Sequence, residues 1–549
     1  KEDYKALILQ QNDLADFEGD AYKTVSFQNT NISVRADDEF FEKVRNNGDV
    51  DLIYVRSGEL AGRVPAVKML EEISFGAWRI GDPGMQFVSK IHEMNTGRNS
   101  GPINSSNPCS EYMFLDNTAC NLGSLNLIKF ADDLGKFDIE KFQEAIKVVT
   151  IAHDIANFAG SYPVKEIADT SPRFSTIGLG YANLGTLFMR KGIPYDSERA
   201  RTLASAITAI MTGTTYERSA DIADALGPFE QFQFNRVPMM EVMGKHKDSL
   251  NTIKWGNIED RIEREELERA ARTSWDRAIE KGNIHGFRNA QATVIAPTGT
   301  IRLLMDCDSG GIEPVYALLS TKRMAGGGIL ELPTQEVPNA LKNLGYKPTQ
   351  IEDIADYVAQ NRGKIDGAPH LNPDHYAVFD TAVVPQGSNR AIHFEGHVKM
   401  LGAAQPWISG AISKTNNLPH SATVKDIYGG FILAHELGLK ALAVFRDDSK
   451  PVQVMTVGNE NPYRMLKRGE QEAVPQTSFG PKVRMSIAGV KHHIRFSEYS
   501  DGRLAEFFID AATYGSAQRG WLNQFAISSS KAIQTGMGLE DWVNAHINF

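Results

Sequence analysis

The stretch Asn107-Pro108-Cys109-Ser110-Glu111 places an amide, a thiol and a carboxylate within five positions, and a second thiol, Cys120, follows eleven residues after the first. Pro108 disfavours helical backbone at Asn107, so the segment is expected to be extended or turned. In an extended chain, residues two apart share a face, which would project Asn107, Cys109 and Glu111 together. Asp116-Asn117-Thr118 has the composition of a turn, and a reversal there returns Cys120 toward the same place. A carboxylate beside a thiol is placed to act as general base for a hydroxyl group, with the amide orienting that hydroxyl by hydrogen bonds. The ordinary reading of a lone cysteine is a small apolar core residue. That reading explains neither the amide nor the carboxylate flanking Cys109.

A second segment offers different chemistry. Ala296-Pro297-Thr298-Gly299-Thr300-Ile301 follows the strand-like run Thr293-Val294-Ile295-Ala296 and precedes apolar residues suited to a helix start. Backbone N–H groups, two hydroxyls and a glycine permitting close approach are what a phosphate cradle requires. An ordinary helix cap, with Thr and Pro in their usual places, accounts for the same residues equally well.

The elements that must position these segments are read from periodicity. Asn31 to Val34 reads as a strand, and Ala66 to Trp78 as an amphipathic helix ended by Gly81-Asp82-Pro83-Gly84. Asn95 to Asn107 is polar and reads as loop. Phe142, Ile146, Val149, Ile155 and Phe158 mark a helix from Phe137 to Phe158 that stops at Gly160, and another helix is expected after Ser175. Gly178, Gly180 and Gly185 have the wrong spacing for a dinucleotide fingerprint and are read as close helix packing. Asp260 to Lys281 is a solvated helix by its charge pattern. Thr321 to Asn389 reads as irregular, broken by Gly326-Gly327-Gly328, and Val424 to Val444 as helical. Residues 455–482 read as a linker. From Val483 onward, two or three strands around Asp501-Gly502 followed by helices give a small α+β unit.

Composition bounds the class. The chain has 549 residues, 42% hydrophobic and 23% charged, which is globular and argues against disorder, collagen-like repetition or a membrane-embedded protein. A formal net charge of −10 argues against a broad nucleic-acid surface. Three cysteines are too few for a secreted disulfide scaffold and lack zinc spacing, so no metal-ligand set and a reducing, cytoplasmic compartment are expected. The chain starts at Lys1 without Met or a targeting stretch, and this start is expected not to be a natural one.

Asn-Pro-Cys-x-Glu followed by Cys-Asn-Leu-x-Ser-x-Asn-Leu resembles the catalytic finger loop of ribonucleotide reductases, and Ser106 to Leu127 is most similar to the adenosylcobalamin-dependent class II enzymes. Gly19 to Arg35, Gly81 to Gly84, Ile177 to Tyr195, Ala296 to Ile301, Asp306 to Pro314, Gly367 to His370 and Gln405 to Pro419 resemble the same class. The resemblance implies a thiyl radical on Cys109, generated from adenosylcobalamin, that abstracts the 3′ hydrogen of a ribonucleotide. It implies that Glu111 takes the 3′ hydroxyl proton, that Asn107 binds the ribose hydroxyls, and that Cys120 is one of two reducing thiols. Ser106 and the turn of Pro297, Thr298, Gly299, Thr300 and Ile301 would bind a ribonucleoside diphosphate. Cys307, with no step to perform, is read as core.

The implied fold is a ten-stranded α/β barrel lacking its N-terminal strands. Residues 1–454 would form the barrel portion, with the finger loop at about 104–127, and residues 483–549 the small C-terminal unit. The partner reducing cysteine would precede Lys1, and Thr381 stands where some relatives carry a Cys. The expectation is therefore a chain that turns over only with an N-terminal portion supplied in cis or trans, served by a thioredoxin- or glutaredoxin-type reductant, with a homodimer compatible. Two other readings stand beside it: the large chain of a metal-subunit-dependent (class I) reductase, against which no adjacent tyrosines accompany Tyr514, and a non-catalytic nucleotide-binding remnant.

Overall fold

The computed structural model describes residues 30–323, 329–447, 449, 455–456, 482–487, 490–498, 504–511 and 517–534. They fall into two units: 30–320 with 332–449, and 321–331 with the described residues beyond 450. Residues 19–29, Gly326 to Gly328, most of 455–482, Asp501-Gly502 and Tyr514, all named above, lie outside the described residues.

The first strands in chain order are β1 (Ser33–Ala36), β2 (Asp49–Ile53), β3 (Leu60–Pro65), β4 (Gly84–Phe87), β5 (Asn121–Asn126) and β6 (Ile177–Ala182). They are followed by β7 (Leu319–Arg323), β8 (Ile329–Pro333), β9 (Thr415–Leu418) and β10 (Ala441–Arg446). β5 lies parallel to β6. Parallel bridges from Leu179 to Thr293 and from Ile295 to Ile412 carry the ladder through residues 293–295 to the segment that enters β9. β9 is parallel to β10, β10 antiparallel to β4, and β4 parallel to β1. Five parallel segments thus meet two that run the opposite way, a mixed α/β architecture. Among the described residues this ladder does not close on itself.

β6 is buried along its whole length, as a strand covered on both faces should be. Its glycines correct the expectation of helix packing: Gly178 and Gly180 lie in the strand, not in a helix after Ser175. A Cβ on Gly180 would sit 2.4 Å from Val294 O of the neighbouring segment. The helix expected there comes earlier, at Lys165–Phe174, and ends in left-handed backbone at Ser175. Gly185 alone fits the packing reading, in the helix Leu184–Arg190 against Pro314.

The remaining differences have similar causes. The helix Ile139–Ala159 forms and stops at Gly160, but Ile155 and Phe158 are exposed while Asp154 and Asn157 are buried. Its inner face is polar because Asn157 donates to Thr176 O and Asp154 accepts from Ser175 and Arg288. Val424–Glu436 is helical, but Gly438 at φ +67° ends that pattern and Ala441–Arg446 is strand. Within the expected irregular stretch, helices Val337–Asn343 and Pro348–Gln360 pack a small core of Val337, Leu341, Ile354 and Val358. The charged helix is Arg261–His285, capped by Asp260, with Leu267, Ala271 and Trp275 turned inward.

In the second unit, β12 (Lys482–Ile487), β13 (Val490–Glu498) and β14 (Leu504–Ala511) form an antiparallel sheet, and the helix Ala517–Gln534 buries Ala526 among Phe507 and Ile509. β7 runs between β8 and the short β11 (Met455–Thr456) in a second three-stranded sheet. No helix among the described residues is long and apolar enough to cross a membrane.

Candidate active site

The finger is a tight turn at its tip and not the extended chain that alternation suggests. Asn107 N donates to Tyr112 O at 3.1 Å and Ser110 N to Asn107 O at 3.0 Å, with Ser110 at φ +66°. Cys109 therefore stands exposed at the apex, while Glu111 is only 3% exposed. Asn107 nevertheless lies close enough to Glu111 to favour its charged form, and its Oδ1 accepts from Tyr112 N at 2.9 Å. The turn at Asp116-Asn117-Thr118 is present, with Asn117 at φ +58°, and it brings Cys120 back.

Electrostatics show how close these groups are. The Glu111 carboxylate acts on both thiols. Burial, then Glu111, pushes Cys109 above its ordinary value, and the same causes push Cys120 up to about 12. Glu111 is itself raised, chiefly by burial, against the opposing effect of Asn107. Its Oε2 has no hydrogen-bond partner. A buried carboxylate oxygen left unpaired is costly, and such groups concentrate where a ligand completes the pairing.

Several residues that hold the finger have no motif to announce them. Gln86 of β4 donates to Ser106 Oγ at 2.8 Å and Ser110 Oγ at 3.0 Å, and Arg35 of β1 orients it through Gln86 Oε1 at 2.8 Å. Ser106 also donates to Asn107 O, so it braces the finger base. Tyr112 donates to Thr118 and meets Thr176 at 2.9 Å. Gly178 leaves room for Cys120, whose Sγ would lie 3.3 Å from a Cβ there. An isolated polar residue in the apolar run of β4 was the one available sign of Gln86.

The second candidate segment sits at the C-terminal end of the segment 293–295, between the ends of neighbouring parallel strands, where open parallel sheets place ligands. Pro297 is half-buried and Thr298, at φ +52°, is 6% exposed. The Thr298 hydroxyl is engaged within the loop: it donates to Pro297 O and accepts from Gly311 N at 2.9 Å. Gly299, Thr300 and Ile301 are exposed, and a Cβ on Gly299 would meet open space. Asn126 and Asn183, at the ends of β5 and β6, tie down the chain beyond the turn through Met305 O and Ser309 N. Cys307 is buried and donates toward Met305 O at 3.7 Å, apart from the other two thiols. Among the described residues, no cluster of three or more His, Cys, Asp or Glu side chains is arranged as a metal site.

Residues 12–445 match the family model described as ribonucleotide reductase, barrel domain. The chain is 41% identical to the vitamin B12-dependent ribonucleotide reductase of Rhodopirellula baltica, over 99% of this chain and 53% of that protein. It is 38% identical to the protein of the same name from Streptantibioticus cattleyicolor, over 79% of this chain and 75% of that one. A vitamin B12-dependent ribonucleoside-diphosphate reductase of Mycobacterium tuberculosis is 30% identical over 79% of this chain and 53% of its own length. The chain thus spans about half the length of the first of these relatives.

Proposed function

The chain belongs to the ribonucleotide reductases, with the vitamin B12-dependent members as its relatives, and on that premise we propose that it carries the centre that reduces ribonucleoside diphosphates to 2′-deoxyribonucleoside diphosphates. The observation that supports this reading is the set Cys109, Glu111 and Cys120: two thiols, one at the exposed apex and only partly desolvated, the other deeply buried, both pushed toward the protonated form beside one buried carboxylate that has a free oxygen. Nucleophilic cysteine chemistry needs a thiol pKa pushed down, and here both are pushed up. Hydrogen-atom transfer needs the S–H bond intact. The name of the Mycobacterium tuberculosis relative supports the diphosphate level.

Cys109, exposed at the apex, fits a thiol that a bulky cofactor must reach. Adenosylcobalamin, when bound, supplies the radical that oxidises this thiol. As a thiyl, Cys109 takes the hydrogen atom from C3′ of the ribose. Glu111 accepts the 3′ hydroxyl proton on Oε2, and Asn107 orients the ribose hydroxyls. Water leaves from C2′, and two thiols give up two electrons and two protons as they join in a disulfide. Cys120 is one of them; the other is not among the three cysteines of this sequence. Cys109 then returns its hydrogen to C3′, and Glu111 returns its proton to the 3′ oxygen. A thioredoxin- or glutaredoxin-type dithiol in a reducing compartment restores the pair. With the Thr298 hydroxyl engaged by Gly311, the diphosphate falls to the backbone amides and hydroxyl of Gly299 and Thr300, flanked by Pro297 and Ile301, while Ser106 positions the finger beside the ribose. The ladder is read as part of a ten-stranded barrel within residues 1–454, with 483–549 as a separate unit.

The test is electron paramagnetic resonance of the protein carrying this chain, mixed with adenosylcobalamin and a ribonucleoside diphosphate. A cobalt–thiyl coupled signal that disappears in Cys109→Ser is expected. Its absence from protein that has bound both ligands would overturn the reading. Cys120→Ser is expected to retain hydrogen exchange at C3′ and to lose sustained product formation. Unimpaired multiple turnover by that variant would remove Cys120 from the reducing pair.

A further inference from the structure

We propose that Lys440 is a positioning residue for the finger, holding the backbone to which Glu111 is attached. Lys440 immediately precedes β10 and is 3% exposed. Its Nζ donates to Gly410 O at 2.6 Å and Ser409 O at 2.9 Å, and reaches Ile408 O at 3.4 Å. The amides of the same three peptide units point the other way. Ser409 N donates to Thr293 Oγ1 at 3.2 Å, Gly410 N to Thr293 O at 2.8 Å, and Ala411 N to Glu111 O at 2.7 Å.

One peptide unit therefore links the lysine to the carboxylate-bearing residue. Its carbonyl, from Gly410, accepts from Lys440; its N–H, from Ala411, donates to Glu111. A cation on the oxygen of an amide polarises it and strengthens its N–H as a donor. There is no slack in the contact either, since a Cβ on Gly410 would lie 2.9 Å from Glu111 O and 2.7 Å from Val294 Cγ1. A shift of residues 408–411 by a few tenths of an ångström moves the finger with it. On the other flank, Ser409 Oγ accepts from Ala292 N at 3.0 Å and Thr293 N at 2.9 Å, so the segment is gripped from both sides.

The grip depends on protonation. Burial lowers Lys440 to about 7. Lys90 and Glu93 face it from the helix Val88–Glu93, the first lowering its pKa and the second raising it. His246 faces it from the helix Phe232–Asp248 and is kept neutral by burial, its value lowered to about 3. Above pH 7 the amine has two N–H groups for three carbonyls, and the clamp on 408–410 loosens. The consequence for turnover rests on Glu111 being the base; the consequence for the backbone does not.

Hydrogen exchange read by mass spectrometry on peptides covering 408–411, corrected for intrinsic rates, tests both. In the wild type, protection of the Gly410 and Ala411 amides is expected to fall as pH rises from 6 to 8.5. Lys440→Met should lose about tenfold in protection, the loss of one charge-assisted hydrogen bond. Lys440→Gln, which keeps donors but cannot titrate, should show intermediate protection that no longer depends on pH, and it serves alone if the Met variant does not fold. The rate of C3′ hydrogen exchange should fall in both variants at unchanged KM. Wild-type protection at 410 and 411 in Lys440→Gln, with its pH dependence intact, would overturn the proposal. Lost protection in the variants, together with no C3′ exchange in the wild type, would uphold the clamp and overturn the function proposed for Glu111.

Discussion

Cys109→Ser is expected to abolish both product formation and hydrogen exchange at C3′ while nucleotide binding stays at the wild-type level. The expectation follows from the place of the residue as much as from its chemistry. Cys109 is exposed at the apex of a turn held by backbone bonds between Asn107, Ser110 and Tyr112, so exchanging sulfur for oxygen removes no packing and no partner. The hydrogen bonds to the finger from Asn31, Gln86 and Ala411 go to Pro108 O, to the Ser106 and Ser110 hydroxyls and to Glu111 O, not to the thiol. What changes is the bond to hydrogen: an O–H bond is too strong to be opened and closed as a relay, and a serine cannot hold the radical. The turn at 297–301, proposed to take the diphosphate, lies on a separate segment and keeps its geometry. Two measurements decide the matter: nucleotide affinity by equilibrium dialysis, and tritium release from C3′-labelled substrate. A residual rate above roughly 1% of wild type, a barrier increase of less than about 2.7 kcal/mol, would mean that Cys109 does not carry the hydrogen.

The sequence made the centre legible where chemistry is local. The amide, thiol and carboxylate of 107–111 lie in one short stretch, and Asn117 permits the turn that returns Cys120. Alternation failed at the apex because Pro108 allows a turn as readily as an extended strand, and the bond from Ser110 N to Asn107 O selects the turn. The residues that grip the finger were not legible, because Arg35, Gln86, Gly410 and Lys440 act across separations of tens to hundreds of residues. The 29-residue helix Glu198–Leu226 escaped periodicity for a related reason. It is buried on nearly every side, so no polar stripe marks its phase, and Thr208, Thr212 and Thr215 are as buried as Ile207 and Ile210. Strand β6 and the short helices between 337 and 360 were missed because their boundaries are set by packing against 293–295 and within the small core around Leu341.

Glu111→Gln is the other change with a large expected effect, because it keeps shape while removing the proposed base. General-base catalysis contributes about 10²–10⁴-fold, so the rate of C3′ exchange should fall by roughly that factor, or about 2.7–5.5 kcal/mol, with substrate affinity retained. The pH profile should change with it. Glu111 must be ionised to accept the 3′ hydroxyl proton, and burial raises its pKa, so the acid limb of the wild-type rate should lie above the ordinary carboxylate range. The glutamine variant should lose that limb. Stability should move the opposite way to activity. A carboxyl whose folded pKa is raised binds its proton more tightly in the folded state than in the unfolded one, so its contribution to stability is greatest below the unfolded value and declines as pH rises through the folded value. Burial opposes ionisation of Glu111 in the wild type, and the neutral amide carries no charge to desolvate. The thermal midpoint of Glu111→Gln should therefore equal or exceed that of the wild type. A variant that is both slow and unstable would point to a structural role for Glu111, and one that keeps more than a tenth of the wild-type rate, with the acid limb unchanged, would assign the base elsewhere.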